Sequence, residues 1–264
     1  MKENSKHPVI IYCHDSPCSS QFSSDAVKLL KKENIVFLKK SLESTTDTSA
    51  LLKMFNVEPT PKPSSMSYRE KLLHFSQDEQ PSTLIFFCTA FSVFSSIEDL
   101  SSKKFIEDQF LNVGTVLDVL TGYLPYMRDH GGKIIFVSSN TKKYGSPRMA
   151  SFESTQRAIA SVITSLRENL NEYDFSKGTS LQIVHVETTR PDRQFIELFK
   201  DQFDTSERRK SGDEHAYEHE INKLRDLVRT QYSKIKIEAT SKKLAKLLVE
   251  IVNSKKTKKH YLVD

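Results

Sequence analysis

Short apolar runs alternate with longer amphipathic stretches along this chain, and this alternation constrains its fold more than any other feature. Runs rich in Val, Ile, Leu and Phe are typical of buried strands, whereas apolar residues at three- and four-residue intervals are typical of helices. Such runs stand at 8–13, 35–38, 83–88, 133–138, 181–186 and 261–263. Strands buried on both faces and separated by helices predict an α/β fold with a doubly wound parallel sheet.

Two long amphipathic helices are predicted at 105–127 and 149–170. The first is expected to close at Pro125 and at the pair Gly131-Gly132. Further helices are predicted near 26–30, 72–75, 214–231 and 239–252. With 264 residues, the chain is expected to form a single domain, in which a charged segment around 201–235 is variable and partly mobile.

Charge and cysteine content exclude several classes of protein. The net charge of +5 comes from 39 basic and 34 acidic residues spread along the chain, so specific nucleic-acid binding is not expected. The three cysteines, Cys13, Cys18 and Cys88, have no CxxC spacing. They argue against a disulfide framework and favour a reducing intracellular compartment, either the cytoplasm or the cytoplasmic face of an organelle.

No transmembrane segment or secretory signal is expected. The most apolar stretch, 84–94, is far shorter than the ~20 residues that span a bilayer. The N-terminal sequence MKENSKHP lacks the apolar core of a signal peptide. Peripheral contact with a membrane stays open, because the basic tail at 255–260 suits phosphates or anionic lipid as well as a solvated turn.

Glycine is scarce, and its distribution excludes a common type of cofactor loop. The seven glycines stand at positions 114, 122, 131, 132, 145, 178 and 212. Glycine-rich phosphate loops need residues without a Cβ for a tight turn and a close approach of the backbone to phosphate. Such a loop is therefore excluded, in its usual form, from the first 113 residues.

Four segments in the middle of the chain stand in an informative order. They are Asn112, LPYM at 124–127, GGKIIFVSSN at 131–140 and SFESTQRA at 151–158. Their order and spacing resemble the short-chain dehydrogenase/reductase superfamily, and the resemblance covers about residues 8–190. It implies a Rossmann-like sheet, and the chain is similar to a fungal-type branch of unassigned function.

The resemblance implies four catalytic positions, of which this chain keeps two. Asn112 and Ser139 match, but Phe152 stands at the family's Tyr and Gln156 at its Lys. In the family the Tyr hydroxyl exchanges a proton with the substrate oxygen, while the Lys lowers the pKa of that hydroxyl and holds the nicotinamide ribose. Phenylalanine has no proton to give and glutamine has no charge. The four positions are therefore expected to be vestigial.

The positions that the resemblance assigns to the cofactor are changed as well. The family's glycine-rich first turn corresponds to 14–24, which contains no glycine, and its Asn-Asn-Ala-Gly segment corresponds to FFCTAF at 86–91. Bulky residues and proline keep the backbone away from a pyrophosphate, so no cofactor is expected. The alternative is an atypical NADP-dependent oxidoreductase, with Lys39 and Lys40 at the 2′-phosphate and Tyr144 as the substitute proton donor.

A non-catalytic pseudoenzyme that serves as a scaffold, assembly or protein-interaction component is the expected function. In the resembled family, two long helices pair with their copies in a second subunit. A homodimer, or a protein partner bound to the same face, is therefore expected at 105–127 and 149–170. A small-ligand or lipid-binding module in the remodelled cleft is a further alternative.

Two other patterns have ordinary structural interpretations. The segment His215 to His219 matches HxxEH, a zinc-peptidase signature, but it lies in a densely charged stretch and is expected to be an exposed helix. A metal site at His215 and His219 is the alternative. Ser139 with His185 could form a nucleophile and base, but no third partner is apparent, and packing is the favoured interpretation.

Overall fold

A computed structural model of the chain describes residues 9–14, 25, 27–31, 37–42, 81–89, 95–140, 149–171, 180–189, 222, 226 and 237–263. Within these ranges, six parallel strands form one sheet in the order β2-β1-β3-β4-β5-β6. The strands are β1 (Val9–His14), β2 (Phe37–Leu42), β3 (Thr83–Phe87), β4 (Gly132–Ser139), β5 (Leu181–Thr188) and β6 (His260–Val263). The predicted parallel α/β sheet is confirmed.

Helices cover both faces of this sheet. They are α1 (Ser102–Gln109), α2 (Thr115–His130), α3 (Ala150–Asn171) and α4 (Ile237–Asn253), and residues 27–31 are helical too. A π-helical turn, Phe110–Gly114, joins α1 to α2 without a break. No helix within the described ranges is both long and apolar enough to cross a membrane.

The expected closure of the first long helix at Pro125 is wrong. Pro125 lies inside α2, which runs on to His130 and ends at Gly131, whose N–H donates to the Met127 carbonyl at 2.9 Å. Proline removes the N–H that would bond to the carbonyl of Thr121. Because Pro125 and Thr121 are both exposed, water can bond to that carbonyl, and the helix continues.

Two apolar layers explain why the strands read as continuous apolar runs. On one face, Phe86, Ile134 and Phe136 pack against α2 and α3. On the other face, Ile85, Ile135 and Val184 pack against α4 and the helical residues 27–31. Successive residues of a strand point to opposite faces, so a strand covered on both faces needs apolar residues at odd and even positions alike.

The Gly131-Gly132 pair forms the connection between α2 and β4. Both residues have positive φ, 78° and 130°. A Cβ at Gly132 would lie 2.5 Å from the carbonyl oxygen of Ser82, which is closer than any side chain allows. The backbone of β4 thereby comes close enough to bond to both neighbours, with Gly132 N donating to the Ser180 carbonyl and Lys133 N to the Ser82 carbonyl.

The strand order places the candidate site at the carboxyl ends of the central strands. The strand β1 pairs with β2 on one side and with β3 on the other, so the direction of winding reverses between β1 and β3. In open α/β sheets, ligands bind beyond the carboxyl ends of the strands near such a reversal. The carboxyl ends of β3 and β4, together with the start of α3, frame this region.

Candidate functional site

The side-chain amide of Gln156 joins helix α3 to the carboxyl ends of two strands. Its Oε1 accepts a hydrogen bond from the Ser139 backbone N–H at 2.8 Å, and its Nε2 donates to the Cys88 carbonyl at 2.9 Å. The Nε2 also donates to Thr155 Oγ1 at 3.2 Å. The side chain is buried. The acceptor and the donor of this amide are thus both committed to the protein's own backbone.

Phe152 lies one turn before Gln156 on α3 and is also buried, with only 2% of its surface exposed. The Thr155 hydroxyl donates to its backbone carbonyl at 2.7 Å, within the helix. The phenyl ring has no ionisable group. The position that the resemblance assigns to a proton donor therefore holds an apolar side chain that is shielded from water.

Asn112 lies inside the π-helical turn and is buried. Its Nδ2 donates to the Asp108 carbonyl at 3.3 Å, one turn back in the same helix. At the end of this turn, Thr115 N donates to the Phe110 carbonyl, five residues back, and Thr115 Oγ1 donates to the Leu111 carbonyl at 2.7 Å. Side chains therefore bond to carbonyls inside the widened turn, an irregularity that is frequent at functional sites.

A buried polar contact that the sequence analysis missed ties α1 to the first turn of α3. Ser151 Oγ donates to Asp108 Oδ2 at 2.5 Å, and both residues are almost fully buried. Beside them, Gln109 Nε2 donates to Ser154 Oγ at 2.5 Å. The sequence contained an indication that Asp108 is buried. This acidic residue lies one turn before Asn112, on a helix face that becomes apolar farther along.

The carboxyl end of β3 carries two further buried polar groups. Burial raises the pKa of the Cys88 thiol well above its ordinary value, so this thiol stays protonated at neutral pH. Next to it, Thr89 is 3% exposed, and its Oγ1 has no hydrogen-bond partner in the described part of the chain. The sequence analysis gave Thr89 no individual role.

Ser138, rather than Ser139, contacts His185. The Ser138 Oγ lies 2.7 Å from His185 Nε2. The pairing of Ser139 with His185 considered from the sequence is therefore wrong by one residue, because adjacent residues of a strand face opposite sides of the sheet. Ser138 is 1% exposed and His185 is 7% exposed, so this hydroxyl is closed to a substrate and nucleophilic catalysis is not supported.

His185 belongs to a cluster at the β5–β6 side of the sheet. His260 Nε2 lies 2.9 Å from Glu187 Oε2, and the two imidazole rings meet edge to face at 5.4 Å between centroids. The pKa of His185 is lowered to about 4, chiefly by burial; the Glu187 carboxylate opposes this shift, and His260 and Arg167 contribute smaller decreases. His185 is therefore a neutral imidazole at pH 7. His260 lies far along the chain from the other two residues, and no sequence pattern connects it to them.

Lys39 and Lys40 lie within β2, paired with Ile11 and Tyr12. The expectation that the second strand ends at Leu38 is wrong, since β2 continues to Leu42. Within the described sheet, β2 is an edge strand, where lysine is common. Several positions singled out in the sequence lie outside the described residues: the glycine-free loop 15–24 with Cys18, Tyr144, His215 and His219, and most of 201–235.

The chain shares sequence features with one protein family. Residues 83–187, from β3 to the end of β5, match the short chain dehydrogenase family. Among curated proteins, none matches the chain significantly. The matched region contains Asn112, Ser139, Phe152 and Gln156, so the candidate site lies within it.

Solved structures with the same fold extend over nearly the whole chain. A short-chain dehydrogenase from Streptomyces avermitilis has a TM-score of 0.64 at 13% identity, covering 99% of this chain and 89% of that one. An oxidoreductase of the short chain dehydrogenase/reductase family from Burkholderia thailandensis has a TM-score of 0.58 at 12% identity, covering 98% and 92%. An apo short chain oxidoreductase from Pseudomonas aeruginosa PAO1, which contains an atypical catalytic center, has a TM-score of 0.57 at 14% identity, covering 98% and 95%.

Proposed function

We propose that this chain is a non-catalytic member of the short-chain dehydrogenase/reductase superfamily and that it works by binding a protein partner, as a scaffold or assembly component. The observation that carries the proposal is the Gln156 amide, which bonds to the backbone of β3 and β4 at the position of the family's lysine. A neutral amide that holds two strands together in this way has both its oxygen and its nitrogen engaged by the protein, and it offers no charge to a nicotinamide ribose.

The residues at the positions that would face the nicotinamide, Phe152 and Gln156, do not fit a nicotinamide cofactor. Hydride transfer to a carbonyl needs a group that exchanges a proton with the substrate oxygen, and a nearby cation keeps the pKa of that group low. Phe152 supplies no proton, and Gln156 supplies no charge. No step of the family's reaction can therefore be assigned to these two side chains.

The outer surface of α2 and α3 supports self-association as the binding mode. Leu117 on α2 is 39% exposed, and Val113 and Leu124 lie partly buried on either side of it. On α3, the residues facing outward include the small side chains of Ser161 and Ser165. Small residues permit a second helix to approach closely, and an apolar row supplies area to bury. We therefore place a homodimer contact on this surface.

Cofactor titration tests the loss of nicotinamide chemistry. NADPH, NADH and their oxidised forms are added to the full chain at millimolar concentration, and the melting temperature is measured. A ligand that binds only the folded state raises stability by RT ln(1 + [L]/Kd), about 2.7 kcal/mol at a concentration 100 times its Kd. We expect no shift with any of the four. A saturable shift at micromolar concentration would overturn the proposal.

An atypical NADP-dependent oxidoreductase is the second candidate. The buried Thr89 hydroxyl, which has no hydrogen-bond partner in the described part of the chain, favours this second candidate. It lies at the carboxyl end of β3, and ligands of such folds bind beyond the carboxyl ends of the strands. The Pseudomonas neighbour with an atypical catalytic center is itself an oxidoreductase. The chain also retains Asn112 and Ser139.

Restoring the family's residues separates the two candidates. The double variant Phe152→Tyr/Gln156→Lys is assayed for NADPH oxidation with a panel of carbonyl substrates, beside the unmodified chain and Ser139→Ala. If the chain is non-catalytic and its phosphate loop does not function, none of the three proteins shows turnover, whereas turnover by the double variant alone would show that the loop still holds the cofactor. Turnover by the unmodified chain that Ser139→Ala removes would establish the oxidoreductase instead.

A further inference from the structure

The register of the last two strands brings three side chains with metal-binding groups together. The strands β5 and β6 are parallel, and His185 pairs directly with His260. Glu187 follows His185 by two residues, so both project from the same face of the sheet. One ligand atom from each of these three residues lies within 4.8 Å of the other two.

The chemistry of this set matches a transition-metal ion. Two imidazole nitrogens and one carboxylate oxygen are among the usual ligands of Zn²⁺ in proteins. In a tetrahedral site with bonds of 2.0–2.2 Å, ligand atoms stand roughly 3.4 Å apart. The His260 Nε2 and Glu187 Oε2 atoms are 2.9 Å apart, and the ligand atoms of all three residues lie within 4.8 Å of one another, so the observed spacings bracket the tetrahedral value.

Neighbouring polar groups orient two of the three side chains. Ser138 Oγ contacts Nε2 of His185 at 2.7 Å, and Asn140 Nδ2 donates to Glu187 Oε2 at 3.4 Å. Such outer contacts hold the ligands of metal sites in position. His185 is buried, whereas the His260 side chain is 49% exposed and that of Glu187 is 23% exposed. An ion can therefore enter from solvent, and a water molecule can complete the coordination.

One nearby positive charge works against a cation at this place. Arg167 on α3 lies close enough to lower the pKa of His185. Its guanidinium, however, donates to the backbone carbonyls of Ile183 and Lys259. Those bonds keep it directed at the backbone of the two strands, and the Glu187 carboxylate offsets its charge. A Zn²⁺ titration measures the affinity that results from these opposing charges.

We propose that His185, Glu187 and His260 form a binding site for a divalent transition-metal ion, with Zn²⁺ the ion of best fit. The site links β5 to β6, the last strand of the described sheet. A bound ion therefore stabilises the attachment of the C-terminal strand. The proposal does not depend on whether the protein turns over a nicotinamide cofactor, because the three ligands lie on strands other than those bridged by Gln156.

The test is a Zn²⁺ titration by calorimetry of the full chain, with Co²⁺ as a spectroscopic substitute. All proteins carry His215→Ala and His219→Ala, which removes the histidine pair of the HxxEH sequence. We expect one ion per chain, a visible Co²⁺ absorption typical of four- or five-coordinate sites, and a higher melting temperature with Zn²⁺. Loss of a residue that only orients a metal ligand typically weakens metal binding by ~10-fold or more. His260→Ala and Glu187→Gln remove a ligand itself, so each should weaken Zn²⁺ binding by at least that factor.

Two controls keep the result interpretable. His130→Ala removes an exposed histidine of α2 and should leave the affinity unchanged. The melting temperature of each variant in chelator shows whether it folds without metal, and His260 is exposed enough for its replacement to be tolerated. The proposal is overturned if the parent protein binds no Zn²⁺ at millimolar concentration, or if His260→Ala and Glu187→Gln bind it as tightly as the parent.

Discussion

A glutamine side chain can accept and donate hydrogen bonds at the same time, and Gln156 uses both abilities on the backbone of neighbouring strands. Lysine at this position can donate but cannot accept. The family's catalytic cation and this structural cross-link therefore exclude each other at one residue. The cross-link formed by residue 156 can therefore be tested through stability, without knowledge of a ligand.

The variant Gln156→Lys should be less stable than the unmodified chain by about 1–3 kcal/mol, because the Ser139 N–H loses its acceptor and a charge is placed in a buried site. Urea unfolding followed by circular dichroism measures the difference. Arg157→Gln, at the adjacent exposed position, is the matched control and should change stability by less than about 0.5 kcal/mol. Equal stability of all three proteins would show that the cross-link contributes nothing.

Cys88 provides a second test at this scale. Burial of its thiol raises the pKa and blocks access by reagents, and the thiolate is the reactive form. Iodoacetamide at pH 8 should therefore leave Cys88 unmodified in the folded protein and alkylate it fully in urea, as read by peptide mass spectrometry. Rapid alkylation in the folded state would mean that the carboxyl end of β3 opens to solvent.

Among the elements, the junction between α2 and β4 allows little change. Two successive glycines with positive φ bring β4 between its neighbours, and the backbone of Ser82 occupies the space that a Cβ of Gly132 would need. Since β4 ends in Ser138 and Ser139, the position of the candidate site depends on this junction. The Gly-Gly pair was recognised in the sequence as a helix end, but its contact with Ser82 depends on the neighbouring strand.

Gly132→Ala should lower the free energy of unfolding by about 1–3 kcal/mol or more, because a strained backbone conformation is added to a clash with a carbonyl. Thermal and urea unfolding measure the loss. Lys242→Ala, at an exposed position of α4, controls for the introduction of alanine and should be close to neutral. Full stability of Gly132→Ala would contradict the close approach of β3 and β4 at this point.

For the whole molecule, exposed apolar side chains indicate which surface could bind the proposed partner. Exposed large apolar side chains in the described part of the chain are few: Ile97, Leu117 and Leu262. Leu117 alone among them lies on one of the two long helices for which an interface is proposed. Apolar area on that face is the kind of surface that stable dimers bury.

Leu117→Asp should therefore convert a dimer to a monomer or weaken its association at least ~10-fold, since a charge placed in an apolar contact costs more than 1.4 kcal/mol. Light scattering after gel filtration gives the mass of each species over a range of concentrations. Ile97→Asp, which changes an even more exposed apolar residue outside α2 and α3, is the matched control and should remain dimeric. A monomeric parent chain at all concentrations would refute self-association.

The six strands, the long helices and the loss of the family's Tyr and Lys could all be read from the sequence. Strands covered on both faces need unbroken apolar runs, and that requirement is local enough to be visible in short segments such as 83–88. The chemistry missing at Phe152 follows from the residue type alone. One wrong prediction also concerned local structure. Pro125 was expected to end a helix, but its exposed position allows the helix to continue.

Only the tertiary structure decided which distant residues meet. The sequence by itself did not indicate that Gln156 would reach Ser139 and Cys88, or that the partner of His185 is Ser138. These contacts join residues from 17 to 68 positions apart, and they depend on strand order and register. A shift of one residue along a strand turns a side chain to the opposite face. Residue types therefore set which chemistry is available to this chain, while register determines which groups come together to perform it.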